Sequence, residues 1–128
     1  MEDYKTKKER DRSFGMFGEQ IAAEYYIKNG YAIRERNWRL GKIEIDIIAQ
    51  RGNIIVFSEV KARRGNYEDA VYAVKLDKMK RMARGANAYL QGLDGYFEYR
   101  FDIFALSGDF KNYKVEVIED AFLSPLIN

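Results

Sequence analysis

The residues best placed to do chemistry lie on two neighbouring apolar runs. These are Ile43-Glu44-Ile45-Asp46-Ile47-Ile48-Ala49 and Ile54-Ile55-Val56-Phe57-Ser58-Glu59-Val60-Lys61, with the turn-forming Arg51-Gly52-Asn53 between them. Both are rich in β-forming residues and read as the arms of a hairpin. Strand side chains alternate, so Glu44 and Asp46 share one face of the first arm, and Glu59 and Lys61 share one face of the second. A two-residue Gly52-Asn53 turn sets a register with Asp46 opposite Glu59 and Glu44 opposite Lys61. Like charges directly opposite disfavour a sheet unless something positive sits between them. A divalent cation meets that need, and an all-oxygen donor set, including the Val60 carbonyl, selects Mg²⁺ or Mn²⁺. Such an ion polarises a phosphate and acidifies water, while Lys61 orients the attacking water or offsets charge developing on phosphorus. The same spacing also fits a solvated face of an amphipathic hairpin, with Glu44 and Lys61 as a cross-strand ion pair.

What the chain lacks narrows the chemistry further. Its 128 residues include neither cysteine nor histidine. That excludes thiolate nucleophiles, disulfides, Ser-His and Cys-His dyads, and zinc held by sulfur or imidazole. Hydrolysis must therefore run on carboxylates, Lys, Tyr, hydroxyls or an oxygen-bound metal. A net charge of +2 does not by itself indicate a nucleic-acid partner, since such binding depends on clustered cations. With 47% hydrophobic residues the chain can fill one core, and a single domain over residues 1–128 is expected. No stretch approaches the roughly 18 apolar residues of a membrane span, and Met1 to Arg12 is charged where a signal peptide is apolar, so a cytoplasmic protein is expected.

The elements that must position the hairpin follow from periodicity. Phe14, Phe17, Ile21 and Tyr25 recur at helical spacing up to Asn29-Gly30, which predicts a helix from Ser13 to Asn29 after a polar, flexible arm at residues 1–12. Tyr31 to Trp38 precedes the hairpin arms and completes a three-stranded meander. Val74, Met79, Met82, Ala83, Ala86, Tyr89 and Leu90 predict a second helix from about Asp69 to Gln91. Strands at Tyr96 to Leu106 and Tyr113 to Ile118 follow, giving the order α-β-β-β-α-β-β.

Asp46, followed after twelve residues by Glu59-Val60-Lys61, resembles the D…(D/E)xK signature of the PD-(D/E)XK, restriction-endonuclease-like nucleases. The resemblance becomes specific with Gly18-Glu19, Arg36-Asn37-Trp38-Arg39, Glu44 to Ala49, Val56 to Arg63 and Arg100-Phe101-Asp102. Together these are similar to the YraN family of bacterial proteins, relatives of the archaeal Holliday-junction resolvases, over roughly Phe14 to Leu106. The resemblance implies an α/β fold with an αβββαβ core, its central mixed sheet flanked by helices. It further implies a metal-dependent endonuclease acting on branched DNA. By position, Asp46 and Glu59 become metal ligands, Lys61 the catalytic lysine, and Glu19 a further acidic ligand reaching the site from the first helix. Glu44 belongs to the family's acidic E-x-D segment. A homodimer is expected by analogy with resolvases, which cut two strands symmetrically. Two residues depart from the pattern: Ile43 where Gly is usual, and Ser58 where an apolar residue is usual.

Other cations are candidates for DNA contact. Lys78, Arg81 and, less closely, Lys75 form one helical stripe, which suits phosphate contacts as well as it suits an ordinary solvated face. Arg63 and Arg64 directly follow the signature and are expected beside the scissile phosphate. Most of the ten Tyr and eight Phe are assigned to the core rather than to a base-stacking platform. Arg100 and Asp102 share a strand face and are expected to support the sheet.

Overall fold

The computed structural model describes residues 6–65 and 76–121. A helix α1 (Lys7–Lys28) leads into strands β1 (Ala32–Leu40), β2 (Ile43–Arg51) and β3 (Ile54–Arg64). Helix α2 (Leu76–Gln91) and strands β4 (Glu98–Gly108) and β5 (Tyr113–Ile118) complete the order. The expected second helix from Asp69 falls partly outside the described residues. The five strands form one mixed sheet in sequence order, with β3 and β4 parallel and the other neighbours antiparallel. A parallel pair needs a crossover, and the chain between β3 and β4 that carries α2 supplies it. This α/β arrangement, a mixed sheet flanked by two helices, is consistent with the restriction-endonuclease-like core that the family resemblance implies.

Helix α1 begins at Lys7, six residues before the expected Ser13. The reason is a cap that apolar periodicity cannot reveal. Thr6 accepts a hydrogen bond from the Glu9 N–H at 3.1 Å, and Lys7 pairs with Asp11 at 2.8 Å one turn on. The helix ends at Asn29, followed by Gly30 in the left-handed region, as expected.

The sheet divides the core into two layers. On one side α1 packs Phe14, Ala22 and Tyr26 against Ile47, Ala49, Val56, Phe104 and Leu106. On the other, α2 packs Met82, Ala83 and Ala86 against Ile45, Ile48, Ile55, Phe57 and Phe101. Aromatic rings fill both layers: Phe14, Tyr26, Phe57, Phe101 and Phe104 are fully buried. Each helix approaches the sheet at a glycine. A Cβ on Gly18 would lie 2.9 Å from the Ala62 Cβ, and one on Gly85 would lie 2.8 Å from Ile43 Cγ2. Ile43 thus fits regular β2 backbone, with its side chain in the space that Gly85 leaves. Ser58, the other departure, is buried with its Oγ 2.9 Å from the Tyr26 hydroxyl, which donates to Asp102 at 2.8 Å. Arg100 clamps the same Asp102 through both carboxylate oxygens at 2.8 and 2.9 Å, so this pair braces β4 against α1.

Candidate active site

Strands β2 and β3 pair as the Gly52-Asn53 turn dictates from Arg51↔Ile54 to Ile47↔Ser58. There the ladder stops. Its end coincides with a break in alternation in β2 and in its other neighbour, β1. Ile47 faces the α1 layer, yet Ile45, which regular alternation would put beside it, faces the α2 layer. Across β1, Arg36 reaches Gln20 on α1, whereas Trp38 joins the α2 layer. The residues at the two breaks, Asp46 and Asn37, lie between the pairs Arg36↔Ile47 and Trp38↔Ile45. Asn37 has φ +52°, a left-handed conformation that Asn tolerates better than most residues.

This paired kink turns Asp46 towards β3, where its Oδ2 accepts the Val60 N–H at 2.8 Å. A side-chain carboxylate thereby occupies a place that a β2 carbonyl would hold in a continuing ladder, and the strands diverge around it. Glu59 follows on β3 and is 2% exposed. Its Oε2 lies 3.6 Å from Lys61 Nζ and 3.7 Å from Lys78 Nζ. Its Oε1 is buried with no hydrogen-bond partner. Burial above all, and then the adjacent Asp46 carboxyl, push Glu59 up to about 8, against the pull of Lys78 and Lys61. A protonated Glu59 can donate to Asp46; when both are ionised the contact is repulsive, and Oε1 has nothing to accept from.

Glu19 enters from α1, one residue after the Gly18 contact that seats the helix on β3. Burial raises its carboxyl, and the charge on Asp46 raises it further, while a hydrogen bond with Asn37 acts in the opposite direction. The site therefore draws on α1, β1, β2, β3 and α2. Asp46, Glu59 and Lys61 come together, and Glu19 is close enough to feel Asp46. Among the described residues no three acidic groups stand in ligating geometry, so Glu19 does not complete a cluster with the other two.

Other expected site residues are placed differently. Glu44 does not face Lys61: the ladder has ended, and Glu44 pairs instead with Arg39 of β1 at 2.6 Å. Lys78, expected on a phosphate-facing stripe, points its ammonium at Glu59 and lies 3.4 Å from the Glu44 carbonyl. Arg81 is exposed on α2 and Arg63 is exposed at the end of β3. Arg64 lies 3.4 Å from Asp11 of α1. Lys75 lies outside the described residues. Sequence reasoning missed the roles of Lys78 and Asn37. The signals for Asn37 were its residue type in the middle of a strand and its place in the Arg36-Asn37-Trp38-Arg39 segment that carries the family resemblance.

These residues fit an oxygen-preferring divalent cation. Asp46 and Glu59 offer adjacent carboxylates, and the unpartnered Glu59 Oε1 is an acceptor without a donor in a place where water is excluded.

Residues 18–106 match the model of a family described as uncharacterised protein family UPF0102. The UPF0102 protein of Phocaeicola vulgatus is 42% identical over 117 residues, which cover 88% of this chain and 94% of that protein. That of Bacteroides thetaiotaomicron is 40% identical over 113 residues, or 88% and 93% of the two chains. A third relative, the UPF0102 protein of Syntrophus aciditrophicus, is 45% identical over 111 residues, covering 84% and 87%.

Proposed function

The chain belongs to the UPF0102 family, and from the chemistry of its site we propose that it is a metal-dependent endonuclease hydrolysing DNA phosphodiester bonds, with branched DNA such as Holliday junctions as its substrate. One observation carries the proposal: a carboxylate 2% exposed, pressed against a second carboxylate, with one oxygen left without a partner. Burying an ionised carboxylate beside another costs several kcal/mol in typical cases, and the Lys61 and Lys78 ammoniums at 3.6 and 3.7 Å offset only part of it. A cation held between Asp46 and Glu59 offsets the rest. Burial of Asp46 and Glu59 supports this reading over that of a solvated hairpin face. The spacing to Lys61 and the sheet that presents it resemble the PD-(D/E)XK nucleases, and the absence of Cys and His leaves that chemistry open while closing its main rivals.

When bound, Mg²⁺ or Mn²⁺ supplies Lewis-acid polarisation of the scissile phosphate and lowers the pKa of a nearby water. The chain's own groups do the rest. Asp46 and Glu59 hold the ion from adjacent strands, and Asp46 is itself oriented by the Val60 N–H. Lys61, whose ammonium also contacts Glu59, sits where it can orient the attacking water and stabilise negative charge developing on phosphorus. Lys78 holds Glu59 from the α2 side. Action on DNA implies a cytoplasmic protein; among the described residues no helix is long and apolar enough to cross a membrane.

The test is metal-dependent cleavage and binding on a panel of duplex, flap and four-way-junction DNAs, for wild type beside Asp46→Asn, Glu59→Gln and Lys61→Ala. Wild type should cut a branched substrate only with Mg²⁺ or Mn²⁺. Each carboxylate variant should lose about a hundredfold or more in rate while binding DNA as well as wild type or slightly better. Lys61→Ala should lose cleavage but keep the metal. A wild type that binds the panel well and cuts none of it, with either ion, would make this a non-cleaving DNA-binding module. Variants that cut as fast as wild type would move the site elsewhere.

A further inference from the structure

The open edge of the sheet at β5 has a self-complementary pattern. Across the β4–β5 hairpin the Asp109 N–H bonds the Asn112 carbonyl at 2.8 Å, so that pair turns its backbone groups inward. Antiparallel ladders alternate between inward and outward pairs, and the next pair, Gly108↔Tyr113, therefore turns outward. The Gly108 carbonyl agrees with this phase, because it accepts from Gly65 on the β3 side. Carried along the register, the same phase leaves the N–H and C=O groups of Tyr113, Val115 and Val117 directed at the open edge. Among the described residues nothing pairs with them.

Side chains repeat the message. Tyr113 and Val115 are each 40% exposed, and Phe110 beside them is 47% exposed, its ring packed on Phe14 and Phe17 of α1. An apolar margin thus runs along the α1 side of the edge. On the opposite side of β5 stand Lys114 and Glu116, neither with an ion-pair partner among the described residues. A solitary edge-strand lysine is a common guard against association. Here, however, the lysine stands two residues from a glutamate on the same face.

We infer that β5 pairs antiparallel with β5 of a second copy of this chain, about a twofold axis through Val115, joining two five-stranded sheets into one. In that register Val115 meets its own counterpart through outward backbone groups, Tyr113 meets Val117, and Lys114 meets Glu116 on both sides of the axis. The lysine and glutamate then fall in the non-hydrogen-bonded pairs, where side chains approach most closely. Centring the axis on Lys114 or Glu116 instead would set like charges against each other, so the charges select Val115. The axis is normal to the sheet, which keeps both α1 layers on one side and puts the two β3 strands five strand spacings apart, roughly 24 Å. Association needs no catalytic reading of the site, so its test is separate from cleavage.

The test is sedimentation equilibrium of the full chain, with thermal melts to show that each variant folds. Wild type should dimerise, and Lys114→Glu or Glu116→Lys alone should weaken the dimer about tenfold or more, because each converts two attractions into two repulsions. The double exchange Lys114→Glu with Glu116→Lys should restore it. Val115→Pro should also give a folded monomer, since it removes an outward N–H and leaves the β4 ladder intact. A wild-type monomer at every concentration overturns the inference and leaves the edge to another segment of the chain or to solvent. A dimer indifferent to the single charge changes, or one not restored by the double exchange, overturns it equally.

Discussion

Among the described residues, Glu59 has the most consequential environment. Its carboxyl is raised from 4.5 to about 8 in the folded protein, chiefly by burial and then by Asp46. Between those values the folded state holds a proton that the unfolded state has released. The stability linked to this group is therefore fully present below about pH 4.5, and it is lost as pH rises through about 8. In metal-free buffer, urea unfolding should show wild type losing stability relative to Glu59→Gln across that window, with the Gln variant at least as stable above it. A constant difference between the two proteins would mean that Glu59 titrates normally. Lys78 refines this picture. Because its ammonium faces Glu59 at 3.7 Å while Arg81 faces solvent, Lys78→Met should move the Glu59 titration higher, as read by carboxyl NMR, and Arg81→Met should leave it in place.

At the scale of the elements, close approach is what holds the site together. Gly18 and Gly85 bring the two helices within sub-van der Waals reach of β3 and β2 for any added Cβ. Gly85→Ala should cost about 1–3 kcal/mol by overpacking against Ile43, and Ile43→Ala in the same chain should recover part of that loss in a double-mutant cycle. Additive costs would place the clash elsewhere. Element order and the hairpin register were legible in the sequence, because Gly52-Asn53 and the alternating apolar residues act locally. The end of that register was not. Alternation carried past Ile47 and Ser58 predicts a Glu44–Lys61 pair, whereas the strands part there because Asn37 takes a left-handed turn opposite Asp46. That kink is tertiary, set by Trp38 and Ile45 crossing to the α2 layer, and no residue spacing announces it. The early start of α1 is a different case: Thr6 and Glu9 form a capping pattern plain in the sequence, but the turn it begins has no apolar stripe to draw attention. Lys78 is legible by type but not by environment, since helical spacing alone cannot say which side of a stripe faces a strand.

For the molecule as a whole, a net charge of +2 is too little to hold DNA, so on the proposed function affinity would come from where the cations sit. Lys61 and Lys78 are engaged with Glu59, so on the nuclease proposal other cations would have to meet the phosphate backbone. Arg63 and Arg64 are exposed at the end of β3, and Arg81 is exposed on α2. They are not equivalent. Arg64 shares its charge with Asp11 on α1, whereas among the described residues Arg63 reaches the carbonyl of its neighbour Ala62, at 3.3 Å, and has no ion pair. Removing the cation that neutralises one phosphate should lower the slope of log affinity against log salt by about 0.9 on duplex DNA. Arg63→Glu should therefore weaken binding on every sequence and flatten the salt dependence by about that amount. Arg64→Glu should do less to the slope, but it places a carboxylate beside Asp11 and should cost some stability at the start of α1. Binding isotherms for wild type and both variants at three or four salt concentrations measure all of this without reference to cleavage. Identical slopes for wild type and Arg63→Glu would take the end of β3 out of the DNA path and direct attention to the exposed face of α2, where Arg81→Glu is the next variant to measure.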